Sequence, residues 1–401
     1  MSFDVAAFRG RFPALATGVA HFDGPGGTQT PLEVGEAIAR TLTGPLSNRG
    51  ASTVSERNAT DAVLAMREAV GDLLGVPASG VVYGRSATQL AYDFSRHLSR
   101  SWGPGDEVVV TRLDHDSNVR PWVQAAERTG ATVRWIQLDP ATGELLLDDF
   151  AEVLSERTKV VAVTAASNLI GTMPPVRAIA DAAHATGALV YVDAVHYAAH
   201  HLVDRDALGA DFVVCSPYKF LGPHCAVLGA DPALLETIRP DKLAPSTDVV
   251  PERFEFGTLP YELMAGVTAA VDVLASLAPG DATTRRAALA ASFRALHAHE
   301  SALRARFEAG LAELGDRVTV WSRAAERTPT TLMTFEGRSA AEASAFLAQR
   351  DVHAPAGNFY ALEVSRALGL GDAGGLRAGL APYTTADEVD RLLEGLRDFL
   401  A

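Results

Sequence analysis

Leu189-Val190-Tyr191-Val192-Asp193-Ala194-Val195-His196 and, about one βα unit further on, Val213-Val214-Cys215-Ser216-Pro217-Tyr218-Lys219-Phe220-Leu221-Gly222-Pro223 are two apolar runs that each deliver a charged side chain. Runs apolar on both faces predict strands covered by helices on two sides, hence a mostly parallel sheet whose ligand lies beyond the strands' carboxyl ends. Asp193 and Lys219 would then share that edge. A lysine that forms an imine with pyridoxal phosphate, and a carboxylate that keeps the pyridine nitrogen protonated, are the two groups such chemistry needs. Taken singly, they read as a surface lysine and a helix-capping aspartate. The pair, with Ser216 and Tyr218 before the lysine and Gly222 after it, favours the cofactor.

The same rhythm extends outward. From about Ser55 to Gly229, helical periodicity alternates with short runs at Val81-Val82-Tyr83, Val108-Val109-Val110, Thr132-Val133-Arg134-Trp135, Val160-Val161-Ala162-Val163, Leu189 to Val192 and Phe212-Val213-Val214. That alternation predicts an α/β fold with a large sheet of the seven-stranded type covered by helices. A long alanine- and leucine-rich helical stretch, roughly Ala282 to Leu314, precedes strand-like Val318 to Trp321 and Thr331 to Phe335, and helices from Ala340 and Thr385. Thr385-Ala386-Asp387-Glu388 has the form of a capping box, and the whole tail reads as a smaller α+β domain. The expected organisation is an N-terminal segment (1–20) packing on the small domain, a large cofactor-binding domain (21–285) and a small C-terminal domain (286–401).

A net charge of −14 argues against nucleic acid and anionic membrane surfaces as partners. No stretch approaches the run of about 18 uncharged apolar residues that spans a bilayer, and a cytoplasmic location is expected. Cys215 and Cys225 are the only cysteines; they match neither a zinc spacing nor a disulfide framework, so reduced thiols and no metal are expected.

Other strand ends offer further chemistry. Tyr83-Gly84-Arg85-Ser86-Ala87-Thr88-Gln89 lies between a strand and a helix, where N–H groups and the hydroxyls of Ser86 and Thr88 suit a phosphate, or else form an ordinary N-cap. Leu113-Asp114-His115-Asp116-Ser117-Asn118 places a histidine able to lie flat on an aromatic cofactor and act as acid or base. Ser167-Asn168 follows the fourth run, where Asn168 would donate to a phenolic oxygen. Both cysteines sit in apolar runs and read as packed small hydrophobes.

With these motifs in place, nearly the whole chain resembles fold-type I pyridoxal phosphate enzymes of the class V aminotransferase group, in its cysteine desulfurase-like branch. His21-Phe22-Asp23-Gly24-Pro25-Gly26-Gly27 resembles the group's opening strand and turn, and Asp114 to Asn118 with Pro121-Trp122 its cofactor-stacking histidine segment. The resemblance implies that His115 stacks on the pyridine ring and that Asn168, with His196 where a glutamine is usual, contacts the phenolic oxygen. It also implies that Asp193 pairs with the pyridinium and Lys219 forms the imine. Ser86, Ala87, Thr88, Ser216 and Tyr218 fall on phosphate-binding positions, the last more often histidine. Phe256-Gly257-Thr258 resembles the segment that reaches the partner subunit's phosphate, implying a homodimer with Thr258 at the shared site. Arg377, in Gly375-Leu376-Arg377-Ala378-Gly379, falls on the arginine that grips the substrate α-carboxylate; Asn48 and Arg49 lie in a substrate-side loop.

The chain departs from desulfurases at Ala354-Pro355-Ala356-Gly357-Asn358-Phe359-Tyr360-Ala361, which lacks the nucleophilic cysteine that forms a persulfide; Tyr360 stands near its position. The expected activity is therefore a lyase that cleaves a C–S or related β-bond of an amino acid through an external aldimine and α-carbanion, with Tyr360 or His115 assisting the leaving group. Transamination and epimerisation start from the same carbanion and stay open, as does a cofactor-binding protein without catalysis.

Overall fold

The computed structural model describes residues 3–148, 150–278 and 280–401; the first two residues of the expected N-terminal segment lie outside it. Seven strands form the main sheet: β1 (Val81–Gly84), β2 (Glu107–Thr111), β3 (Thr132–Ile136), β4 (Thr158–Thr164), β5 (Leu189–Asp193), β6 (Phe212–Cys215) and β7 (Ala226–Ala230). Their spatial order is β1-β7-β6-β5-β4-β2-β3. β7 runs antiparallel to both its neighbours and the remaining pairs are parallel, so six strands point one way. The sheet is the mostly parallel one expected. Its reversed member, β7, was legible only as an apolar run around Cys225.

Alternation along each strand feeds two separate cores. Val109, Val161, Val163, Val190, Val192, Val213 and Cys215 pack on one face. Val108, Val110, Val160, Ala162, Tyr191, Phe212 and Val214 pack on the other. This two-sided burial explains why the central strands read as unbroken apolar runs, and it leaves their carboxyl ends as the place where polar side chains emerge together. Edge strand β3 alternates exposed and half-buried positions instead, and its Arg134 pairs with Glu107 of β2 at 2.9 Å.

A second, antiparallel sheet holds β8 (Val318–Val320), β9 (Thr330–Phe335), β10 (Ala356–Gly357) and β11 (Gly375–Gly379), in the order β8-β9-β11-β10. Its core includes Met333, Leu376, Leu392 and Phe399. The helix of Arg285–Ala312 is shorter at both ends than its alanine-rich composition suggests, because Thr284 caps it, accepting from Ala287 N at 3.2 Å, and Gly315 at φ +59° lies just beyond. The final helix, Ala386–Leu400, starts with the anticipated capping box between Thr385 and Glu388. Gly379 packs so closely on Pro25 that a Cβ there would collide with the proline ring, which seats the end of β11 against the turn after His21.

Candidate active site

A cavity of about 800 Å³ opens at the carboxyl edge of the six co-directional strands. That volume falls within the range of about 300–1,000 Å³ typical of small-molecule sites. Ser86, Ala87 and Thr88 line it from the end of β1, His115 from beyond β2, Asn168 from beyond β4, Asp193 and His196 from β5 and beyond, and Ser216, Tyr218 and Lys219 from beyond β6. Tyr360 and Arg377 enter from the second sheet's side. The other sequence candidates lie elsewhere in the chain: Asn48, Arg49 and Thr258 do not line this cavity. The Arg49 guanidinium is engaged by Glu252 at 2.6 Å, and Glu252 also holds Arg67.

Lys219 sits in a short turn, Pro217–Lys219, and its Nζ donates to the carbonyls of Pro25 and Gly26. Burial and then the Arg377 charge lower its ammonium to about 7 against the opposing pull of Asp193, so a large share of free amine exists at neutral pH. Asp193 is buried at the end of β5, and desolvation raises it to about 6 although Val195 N donates to Oδ1 at 2.9 Å. Nearby Asp114 is fully enclosed, and burial raises it to about 8 even as Thr111 and Asn118 donate to it. Two buried carboxyls with separated affinities leave one proton on Asp114 and the negative charge on Asp193 at pH 7.

His115 is neutral, held at about 4 by burial and then by the charges of Lys219 and Arg377. Its Nδ1 accepts from Ser117 N at 3.0 Å, which leaves the ring proton on Nε2. Below it Asp114, Asn118 and Trp122 form a buried chain: Asn118 Nδ2 donates to Asp114 at 2.7 Å and Trp122 Nε1 to Asn118 Oδ1 at 3.2 Å. This support was readable only as Asp-x₃-Asn-x₃-Trp spacing. His196 is buried with Nε2 at 3.0 Å from the hydroxyls of both Thr328 and Thr330, and desolvation keeps it uncharged. Tyr218 stacks on His224 at 4.8 Å and 8°, a pairing that sequence reading did not find.

Arg377 is the outlying electrostatic feature. Only 1% exposed, it donates from Nη1 to Asn168 O at 2.8 Å and lies 3.6 Å over the Phe359 ring, and its Nε has no partner. No carboxylate pairs with it among the described residues. Burial lowers it to about 9, with Asp23 opposing. A buried guanidinium without a counter-ion is costly unless a ligand anion completes it.

Phe359 and Tyr360, at φ +51° and +60°, are consecutive left-handed residues that are not glycine. The turn is held by Asn358 Oδ1, which accepts from Tyr360 N at 3.0 Å, and by Asp116 N, which donates to Tyr360 O at 2.7 Å. Asn168 Nδ2 donates to Phe359 O at 3.0 Å. Non-glycine residues there cost about 1–2 kcal/mol each. Tyr360 is 73% exposed, so Tyr360→Gly is expected to raise stability by about 1 kcal/mol and Tyr360→Val to lower it, measured by urea unfolding.

The residues fit a phosphorylated pyridine. Ala87 and Thr88 bring the start of the Ala87–Leu98 helix to the wall, where first-turn N–H groups lack helical acceptors and favour an anion. The depressed lysine stands with a buried carboxylate, whereas the amide nitrogen of Asn168, expected to donate to a phenolic oxygen, donates to Phe359 O. Residues 20–392 match the family described as "Aminotransferase class-V". The chain belongs to the class-V aminotransferase family. The chain is 33% identical to the "Uncharacterized protein MT3887" of Mycobacterium tuberculosis, over 99% of each chain. It is 30% identical to a "Probable cysteine desulfurase" of Vibrio cholerae, covering 99% of this chain and 98% of that one. Among solved structures, the apo cysteine desulfurase of Thermococcus onnurineus superposes with a TM-score of 0.89 at 25% identity, covering 100% and 98% of the two chains. The fold is therefore that of fold-type I pyridoxal phosphate enzymes, and this class-V member is a pyridoxal phosphate-dependent enzyme of the cysteine desulfurase-like group. No helix among the described residues is long and apolar enough to cross a membrane.

Proposed function

We propose that this class-V enzyme is a β-eliminating lyase that breaks a C–S or related bond at Cβ of an amino acid. The observation that carries the amino-acid part is Arg377, a buried guanidinium at the cavity wall with no carboxylate of its own. A planar α-carboxylate satisfies it in a bidentate manner. Pyridoxal phosphate, when bound, supplies the electrophile for the substrate amine and the electron sink for the bond broken at Cα. Lys219 is the residue that would hold it, with Asp193 at its ring nitrogen, His115 on its face, Asn168 and His196 at its phenolic side, and Ser86, Ala87, Thr88, Ser216 and Tyr218 at its phosphate.

The chain's own groups then divide the work. Lys219 Nζ, whose ammonium is destabilised by burial and by the Arg377 charge, takes the proton from Cα. Asp193 keeps a negative charge buried beside the site. The Tyr360 ring lies 5.7 Å from that of His115 between centroids, so the Tyr360 hydroxyl is the group at hand to protonate a departing sulfur, while the neutral His115 donates only a hydrogen bond from Nε2. The Phe359-Tyr360 turn covers Arg377 and orients the bound carboxylate.

Ending in elimination rather than persulfide transfer is supported by the thiols. Cys215 and Cys225 are both enclosed, 0% and 1% exposed, and burial pushes both thiols well up, Cys225 to about 12. Neither is a thiolate at neutral pH, nor does either line the cavity. A homodimer with Thr258 and the Asn48-Arg49 loop serving the partner's cavity completes the proposal. The test is a screen of cysteine, cysteine conjugates and sulfoxides with product analysis. Pyruvate is expected, and turnover by the Cys215→Ala/Cys225→Ala double variant should stay within about threefold of the parent, as neither thiol touches the site. Turnover of another amino acid with no pyruvate from any of these would sink the lyase reading; a new amino acid formed from an added keto acid would make it a transaminase.

A further inference from the structure

Outside the cavity, His21, Asp23 and His353 meet on one face of a small parallel ribbon formed by Ala20–His21 and Val352–His353. The register dictates this meeting. His21 is the direct cross-strand partner of His353, and Asp23, two residues on in extended chain that ends in a bridge to Gly379, returns to the face of His21. These residues come from segments some 330 positions apart, so no sequence spacing announces them.

The distances are those of co-ligands. His21 Nδ1 lies 3.3 Å from Asp23 Oδ1, His353 Nδ1 lies 3.9 Å from Asp23 Oδ2, and one ligand atom from each residue falls within 4.8 Å of the others. Direct N–H···O bonds cluster at about 2.7–3.2 Å, so the His21–Asp23 contact is a long hydrogen bond and the His353–Asp23 contact lies beyond hydrogen-bond reach. In a tetrahedral site with Zn–N and Zn–O bonds of about 2.0–2.1 Å, neighbouring ligand atoms stand about 3.3 Å apart. Gln29 Nε2 also approaches His21 Nδ1 at 3.3 Å, and the amide turned over would present its oxygen. The three side chains are 10%, 33% and 43% exposed, which gives an ion and a water access.

We propose that His21, Asp23 and His353 bind one divalent transition cation of the zinc class, with the fourth position held by water or by Gln29. Two imidazoles with one carboxylate select such a cation over magnesium or calcium, which prefer oxygen ligands throughout. The cation is a clasp between two walls of the cavity. Asp23 precedes Pro25 and Gly26, whose carbonyls hold Lys219 Nζ, and His353 precedes the Phe359-Tyr360 turn over Arg377.

The holoenzyme, tag removed and treated with chelator, should take up one Zn²⁺ per chain by elemental analysis after gel filtration. Co²⁺ should give visible d–d bands of a nitrogen- and oxygen-ligated site, and millimolar Mg²⁺ should not compete. His353→Ala is expected to weaken Zn²⁺ by about 100-fold or more in chelator competition, with loss of the Co²⁺ bands. Because His353 is 43% exposed, the variant should fold; His353→Gln and Asp23→Asn, checked by circular dichroism, repeat the measurement if it does not. Negligible Zn²⁺ uptake by the parent, or equal affinity in parent and variants, overturns the proposal.

Discussion

Lys219→Ala is expected to lower turnover by about 10⁴-fold while leaving the chain folded. The side chain's polar contacts are two carbonyls, of Pro25 and Gly26, and its ammonium is held near 7 by burial. Removing it deletes the amine that carries both the cofactor and the α-proton, yet takes away no ion pair and little apolar packing. Two measurements separate these effects. Borohydride should no longer fix the cofactor to the chain, seen by intact mass, while the thermal unfolding midpoint should move by only a few degrees. Lys219→Arg should be equally inactive, since a guanidinium stays protonated where the lysine does not. A fully active Lys219→Ala enzyme would refute the assignment.

Arg377→Met should reduce kcat/KM by about 10²–10⁴-fold, the equivalent of two charge-assisted hydrogen bonds of about 1.5–3 kcal/mol each. The same change should raise stability. In the ligand-free chain the guanidinium is 1% exposed and has no carboxylate against it, and a flexible thioether of similar length packs on Phe359 without carrying a charge into the interior. Opposite movements of activity and unfolding midpoint are the signature of a residue kept for its ligand. A lowered midpoint with undiminished kcat/KM would show Arg377 to be structural.

The large sheet was readable because each central strand is buried on both faces and so is written in unbroken apolar residues, as in β4 and β5. The same reasoning placed Asp193, Lys219, His115 and Asn168 at one edge, since parallel strands must deliver the residues at and beyond their carboxyl ends to a common side. Strands β10 and β11 were not readable. Their glycines, Gly357, Gly375 and Gly379, resemble a turn in sequence, and only the approach of Pro25 to Gly379 shows why a strand needs them. The support beneath His115 was hidden for another reason: Asp114 and Asn118 look like loop residues until burial makes one of them a protonated carboxyl.

The enclosed sulfurs of Cys215 and Cys225 bear on where such a catalyst can operate. Oxidants and electrophiles attack thiolates that solvent can reach, and these two are neither ionised nor reachable. Peroxide or an alkylating stress would find no sulfhydryl handle on the folded chain, so its activity should persist through swings in cellular redox poise that would silence an enzyme working through an open cysteine.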